Sequence, residues 1–167
     1  MKIYAKKYKW YRDFFFQCQI LFDKSIQHFM FDNKRKMIDY FLPSNYEVKY
    51  VVVRENEGVT KKISIMTFMK DKRDGVFWIA GFVPTRMQNK GLGLYGAIAS
   101  LHELFKLYPQ CEVISASYSF NTRSVRVSKS IGFSMYVQDE CHFEGSLTKE
   151  QFDNEFVFRV KKRLNME

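Results

Sequence analysis

The residues best suited to chemistry lie in one short run, Gln88-Asn89-Lys90-Gly91-Leu92-Gly93-Leu94. The run follows an apolar stretch, Val76–Val83. It opens a segment in which Leu94, Ala97, Ile98, Leu101, Phe105 and Tyr108 recur on one helical face. Glycine at 91 and 93 permits a sharp turn and a close approach of main chain to a ligand. The first N–H groups of a helix have no partner within it, and with the helix dipole they make an anion site. A pyrophosphate is the natural occupant. The Walker A pattern GxxxxGK[ST] is absent. Gly91-Leu92-Gly93-Leu94-Tyr95-Gly96 has the letters of a dinucleotide fingerprint. However, the strands before it read as antiparallel hairpins, and no Asp or Glu ends the strand near Ser117, as a dinucleotide fold requires.

A second constellation follows at Asn121, Ser124, Ser128, Gly132 and Phe133. Ser124, Val127, Ser128 and Ile131 share one helical face, and Arg123, Arg126 and Lys129 lie off it.

The elements that must position these residues read as follows. Lys2–Ala5 is a short strand, and the rest of the first forty-odd residues are mainly helical. Phe14, Phe15, Phe16, Ile20, Leu21 and Phe22 form a dense apolar block, expected in the core or walling an acceptor pocket. Ile26, Phe29, Met30, Met37, Ile38 and Phe41 continue it, with a break at Asp32-Asn33 and an end at Pro43-Ser44-Asn45. Tyr46–Arg54, Lys62–Met69 and Val76–Val83 are strands joined by short turns, which implies an antiparallel meander. The helix from Leu94 stops before Pro109, and Glu112–Ser117 is the next strand, parallel to Val76–Val83 across a crossover. A short helix spans Thr122–Ile131, and Phe133–Gln138 and Glu155–Val160 are the expected last strands.

At 167 residues the chain is expected to form a single domain, with 1–45 a helical lead-in and 46–160 the ligand-binding core. No stretch is apolar for long enough to span a bilayer, and the charged N-terminus has no apolar signal core behind it, so a cytoplasmic protein without a membrane partner is expected. Cys18, Cys111 and Cys141 are scattered, and His28, His102 and His142 show no ligand spacing, so neither a disulfide framework nor a metal is expected. The formal net charge of +9 favours an anionic partner. Tyr4, Tyr8, Trp10 and Tyr11 interleave with lysines, as in a nucleic-acid-binding module. No RNP, KH or zinc-finger pattern supports that reading, and nucleic acid is not the expected partner.

Together the two motifs resemble those of the Gcn5-related N-acetyltransferase (GNAT) superfamily. Its pyrophosphate loop reads [Q/R]xxGx[G/A], matched by Gln88, Gly91 and Gly93, with Val83-Pro84 resembling the strand end before it. Its later pattern, NxxAxxxYxxxGF, is matched by Asn121, Gly132 and Phe133, with Ser124 and Ser128 replacing the alanine and the tyrosine. The resemblance runs from about Tyr46 to Val160. It implies an α+β fold (an α/β/α sandwich), a mixed sheet in which an antiparallel meander precedes a parallel β-α-β crossover, with a splay between the two central strands. It implies acetyl-CoA, or a related acyl-CoA, as co-substrate, and direct attack by a primary amine of a small molecule, amino sugar or peptide. Main chain at Phe82 and Val83 would bind the pantetheine arm and polarise the thioester. Gln88, Asn89, Lys90, Gly91, Leu92, Gly93 and Leu94 would hold the pyrophosphate. Asn121 would bond the arm, and Arg123, Arg126 or Lys129 would reach the 3′-phosphate. The family's thiolate acid is a tyrosine where this chain has Ser128, so Ser128, Tyr118, Tyr136 or no side-chain acid at all are the alternatives. Asp74, His142, Glu140 and Glu144 are candidate bases. A homodimer through an edge strand, and a CoA-binding protein that has lost its chemistry, remain further expectations.

Overall fold

The computed structural model describes residues 1–24, 26, 48–137 and 142–166, with main chain only at 136 and 137. The expected second lead-in helix, the break at Asp32-Asn33, the turn at Pro43-Ser44-Asn45, Glu140, Cys141 and the Tyr136 side chain lie outside the described residues.

The described strands are β1 (Lys2–Lys7), β2 (Val48–Asn56), β3 (Val59–Lys70), β4 (Val76–Phe82), β5 (Glu112–Tyr118), β6 (Ser134–Val137) and β7 (His142–Leu147). They form one seven-stranded open sheet in the order β1-β2-β3-β4-β5-β7-β6. All neighbours are antiparallel except β4 and β5, which the crossover makes parallel. The described helices are α1 (Trp10–Leu21), α2 (Leu92–Leu107), α3 (Thr122–Ile131), α4 (Lys149–Phe152) and α5 (Glu155–Arg163). This is the mixed, two-sided α/β sheet that the resemblance implies.

The largest core lies between the sheet and α2, with Ile98, Leu101 and Leu104 against Ile3, Val52 and Phe68. A smaller core on the other face joins Phe16 and Ile20 of α1 to Val51, Ile65 and Phe82. Not all of the aromatic block enters it. Phe16, Ile20 and Leu21 are buried, whereas Phe15 is 80% and Phe22 63% exposed. The block carries apolar residues right round the helix, and only one face can meet the sheet.

A second expectation is corrected at the C-terminus. Glu155–Arg163 is a helix, and the strand that completes the sheet is His142–Leu147. The Asn154 side chain accepts from the Val157 N–H (3.0 Å) and starts α5. Val157, Val160 and Leu164 then bury one face at i, i+3 and i+7.

Register shifts between Val52 and Val53, so that Ser64 pairs with Val52 but Lys62 with Val53, leaving Ile63 as a bulged residue. The bulge turns Lys62 toward α1. There its ammonium contacts Asp13 Oδ1 (2.8 Å) and donates to the Arg12 carbonyl (2.8 Å). Asp13 is fully buried and also accepts from the Lys9 N–H (2.9 Å) and from the Arg12 guanidinium (2.7 Å). Burial alone would raise its carboxyl pKa, but the bonds from Arg12, Lys62 and Lys9 outweigh it and hold the group down at about 2.

Stability should follow that carboxyl. The ordinary value is 3.8 and the folded value about 2, so its contribution is complete above pH 3.8 and is lost as the pH falls through 2. Urea unfolding across this window should show the parent losing stability on acidification. Asp13→Asn should be less stable at neutral pH and show a flatter dependence.

Candidate active site

β4 and β5 pair only at Val76–Glu112, Phe77–Val113 and Trp78–Ile114. Both strands continue, to Phe82 and Tyr118. Outer partners hold each one along the part that leaves the pair: Ile65 opposes Phe82, and His142 opposes Tyr118. The two strands therefore part into a gap. Ile79, Ala80 and Gly81 border it on one side and Ser115, Ala116 and Ser117 on the other.

The glycine loop stands at the open end of that gap. After β4, Pro84 leads into a single 3-10 turn, Thr85–Met87, whose first N–H and hydroxyl both donate to the Asp23 carboxylate (3.0 and 2.7 Å). Sequence reasoning missed Asp23, which lies 62 residues from its partner with no local pattern to mark it. The Gln88 side chain donates to the Val83 carbonyl (3.1 Å) and closes the loop on itself. Asn89 and Gly91 both take positive φ (62° and 70°). Glycine suits 91, because a Cβ there would also stand 3.3 Å from the Tyr95 ring. Gly91 is the N-cap of α2, and among the described residues no side chain caps the helix. The first bond into the helix runs from the Tyr95 N–H to the Gly91 carbonyl (3.1 Å), so the N–H groups of Leu92, Gly93 and Leu94 precede it. Asn89, Lys90 and Gly91 are exposed. The arrangement is an anion cradle of main-chain donors at a positive helix end.

The second motif is a capped helix. Asn121 Oδ1 accepts from the Ser124 N–H (3.3 Å) at the start of α3. Gly132, at φ 112°, ends it, and the Phe133 N–H reaches back to the Ser128 carbonyl (3.1 Å). Between these caps two hydroxyl pairs join α3 to β5, Ser117–Ser124 at 2.6 Å and Ser115–Ser128 at 3.2 Å. The signal for this was serine at i, i+2 on a strand and at i, i+4 on a helix, and sequence reasoning passed over it.

Side chains alternate along β5, so Ser115 and Ser117 face α3 while Ala116 and Tyr118 face the α1 side. Ser128 and Tyr118 thus occupy opposite faces of the sheet. Tyr118 is half-buried, with its ring against His142 (4.8 Å) and stacked on Phe120 (5.1 Å). Glu144 is half-buried on the same face of β7, opposite Ala116. On the far side of the gap, Lys49 opposes Thr67, which opposes Ala80. Burial pushes the Lys49 ammonium down to about 8. Arg123, Arg126 and Lys129 are exposed on α3. Asp74 is in the β3–β4 turn, at the paired end of β4, with the Val76–Phe82 strand, about 20 Å at ~3.3 Å per residue, between it and the glycine loop. Among the described residues, no group of three His, Cys, Asp or Glu is placed to hold a metal.

Several solved structures share this fold. Spermidine N-acetyltransferase from Vibrio cholerae, solved with CoA and spermine, aligns at TM-score 0.73 and 12% identity, covering 92% of this chain and 99% of its own. AAC(6')-Ib, solved with paromomycin and acetyl-CoA, aligns at TM-score 0.72 and 17% identity, over 93% and 98%. A GNAT-family acetyltransferase from Bacillus anthracis aligns at TM-score 0.69 and 15% identity, over 90% and 96%. No protein-family model matches the chain, nor does any curated protein sequence. Likeness at these identities establishes the fold.

The serine pairs give a direct test of what Ser128 does. Ser128→Ala leaves a buried Ser115 hydroxyl unsatisfied and should cost about 1–3 kcal/mol. Ser115→Ala/Ser128→Ala removes both partners and should recover part of that loss. Urea unfolding of the double-mutant cycle measures it.

Proposed function

We propose that this chain, which has the fold of the GNAT superfamily, binds acetyl-CoA and transfers its acetyl group to a primary amine. The observation that carries the reading is the parted β4–β5 pair, which ends beneath an uncapped helix N-terminus. A phosphate-ended, amide-bearing arm fits such a gap, its anion on the helix end and its amides between the strands.

The roles of the residues follow. The N–H groups of Leu92, Gly93 and Leu94, with the Asn89–Gly91 turn, hold the pyrophosphate, and Gln88 keeps the turn closed through Val83. Main chain at Phe82 and Val83 bonds the arm, and one N–H there polarises the thioester carbonyl. Asn121 offers its amide NH2 to the arm while its oxygen caps α3. Arg123, Arg126 and Lys129 are exposed on α3, one of two basic surfaces that the 3′-phosphate could meet.

In the transfer a neutral amine forms the C–N bond as the C–S bond breaks. The nitrogen gives up a proton, and the sulfur leaves as thiolate and takes one. Holding the amine beside the thioester supplies much of the rate. His142 and Glu144 line the α1 side of the gap, where they give the amine's proton a route, directly or through water. Tyr118, on that same face, is the better-placed acid for the thiolate. Tyr136 opposes Glu144 in the register and remains a second phenol to test. Ser128 is buried, and its hydroxyl pairs with that of Ser115.

The acceptor is a small amine, an amino sugar or a peptide. Two of the similar structures hold spermine or paromomycin, both amine-bearing, beside CoA or acetyl-CoA. A CoA-binding protein without chemistry is the second reading, favoured by the engagement of Ser128 with Ser115.

Acetyl-CoA should raise the melting temperature of the parent and not of Gly91→Asp, and NAD should raise neither. Stabilisation by NAD alone would overturn the reading. Thiol release with a panel of polyamines and amino sugars should be lowered on the order of 100-fold in kcat by Tyr118→Phe, with the KM for acetyl-CoA unchanged. CoA binding with no thiol release from any acceptor would favour the second reading.

A further inference from the structure

A cleft on the α2 face lies on the far flank of β4 from the gap. Arg54 of β2, Lys61 of β3, and Arg86 and Lys90 of the loop line it, over a floor of Ile63, Met87 and Leu92. Its volume is about 110 Å³, several times what one water needs. Arg54 and Lys61 stand directly opposite each other in the β2–β3 ladder, a like-charge pairing that disfavours the hairpin. The bulge at Ile63 settles the sides here, sending Lys62 to α1 and leaving Lys61 over the cleft. Among the described residues no carboxylate forms an ion pair with any of the four cations. Among the described residues their side chains make one hydrogen bond, from Lys90 Nζ to the Arg86 carbonyl (3.4 Å). Leu92, which floors the cleft, is also the first residue of α2, so the positive helix end adjoins the same space.

Four uncompensated cations around one concavity repel one another unless an anion joins them. We propose that this cleft binds a phosphate group. Two arginines supply planar forks and two lysines point charges, a set suited to a phosphoryl oxygen cluster. Coenzyme A carries such a group at its 3′-phosphate, and on that source the proposal rests on the acyl-transfer reading. A separate phosphorylated compound carries the same chemistry without it. The site is distinct from Arg123, Arg126 and Lys129, which lie on α3, packed against β5 across the gap.

Isothermal titration of the full chain at low salt separates the sources. The ligands are CoA, 3′-dephospho-CoA, and inorganic pyrophosphate with and without saturating CoA. The proteins are the parent, Arg54→Gln/Lys61→Gln, and Lys72→Gln/Lys162→Gln, which removes equal charge from exposed positions elsewhere, with circular dichroism confirming that all are folded. If the coenzyme is the source, the hairpin variant loses CoA affinity on the order of tenfold and binds 3′-dephospho-CoA as the parent does. If a separate compound is the source, CoA binding is unchanged, and pyrophosphate binds the CoA-saturated parent but not the hairpin variant. The proposal is overturned if the hairpin variant matches the parent, or the charge control, in every titration. Should CoA fail to bind the parent while pyrophosphate binds through Arg54 and Lys61, the acyl-transfer reading falls and the cleft stands.

Discussion

Parallel pairing between β4 and β5 lasts for three residue pairs and then stops, and the rest of the structure depends on that stop. A gap in a sheet leaves main-chain donors and acceptors without their usual partners, which is costly unless something else meets them. This one persists because each strand is held by its outer neighbour. β4 stays on β3 as far as Phe82, and β5 stays on β7 as far as Tyr118. Two antiparallel ladders thus keep the strands straight while they part. Small residues, Ala80, Gly81 and Ala116, border the opening.

Everything at the mouth of the gap is pinned to one side of it or the other. The loop after β4 is tied to the end of α1 through Asp23 and Thr85. α3 is joined to β5 by the two serine pairs and to the start of α5 by Asn154, whose amide donates to the Ile131 carbonyl (2.8 Å). α1 is clamped to β3 through Lys62 and the buried Asp13. An anion cradle made of main chain needs this kind of external support, because no side chain of its own sets its shape. The positive charge of the chain then has a physical use. Four of its cations, Arg54, Lys61, Arg86 and Lys90, line one cleft beside the cradle.

Much of this was legible in the sequence, because glycine and asparagine at fixed offsets report main-chain geometry. Gly91 marked a sharp turn, which the structure makes left-handed, and Asn121 and Gly132 marked both ends of α3. The parallel crossover followed from an amphipathic segment between two apolar ones. What could not be read depended on contacts distant in the chain. Glu155–Val160 is rich in the β-branched and aromatic residues of strands, and Asn154 with the burial of Val157, Val160 and Leu164 makes it helical. The bulge at Ile63 is set by pairing with β2 and leaves no mark in β3 itself. The aromatic block of α1 could not reveal which of its faces meets the sheet. The bond between Ser128 and Ser115 joins residues on different elements, and nothing next to Ser128 in the chain announces it.

Amide chemical shifts of the isotope-labelled protein, followed as CoA is added, test the central claim most directly. The account predicts large, saturable shifts at Leu92, Gly93 and Leu94 and along Ile79–Phe82, with little change in β1 and β2 away from the hairpin. Shifts that spare the start of α2 and the edge of β4, or that report binding only elsewhere on the molecule, would contradict it.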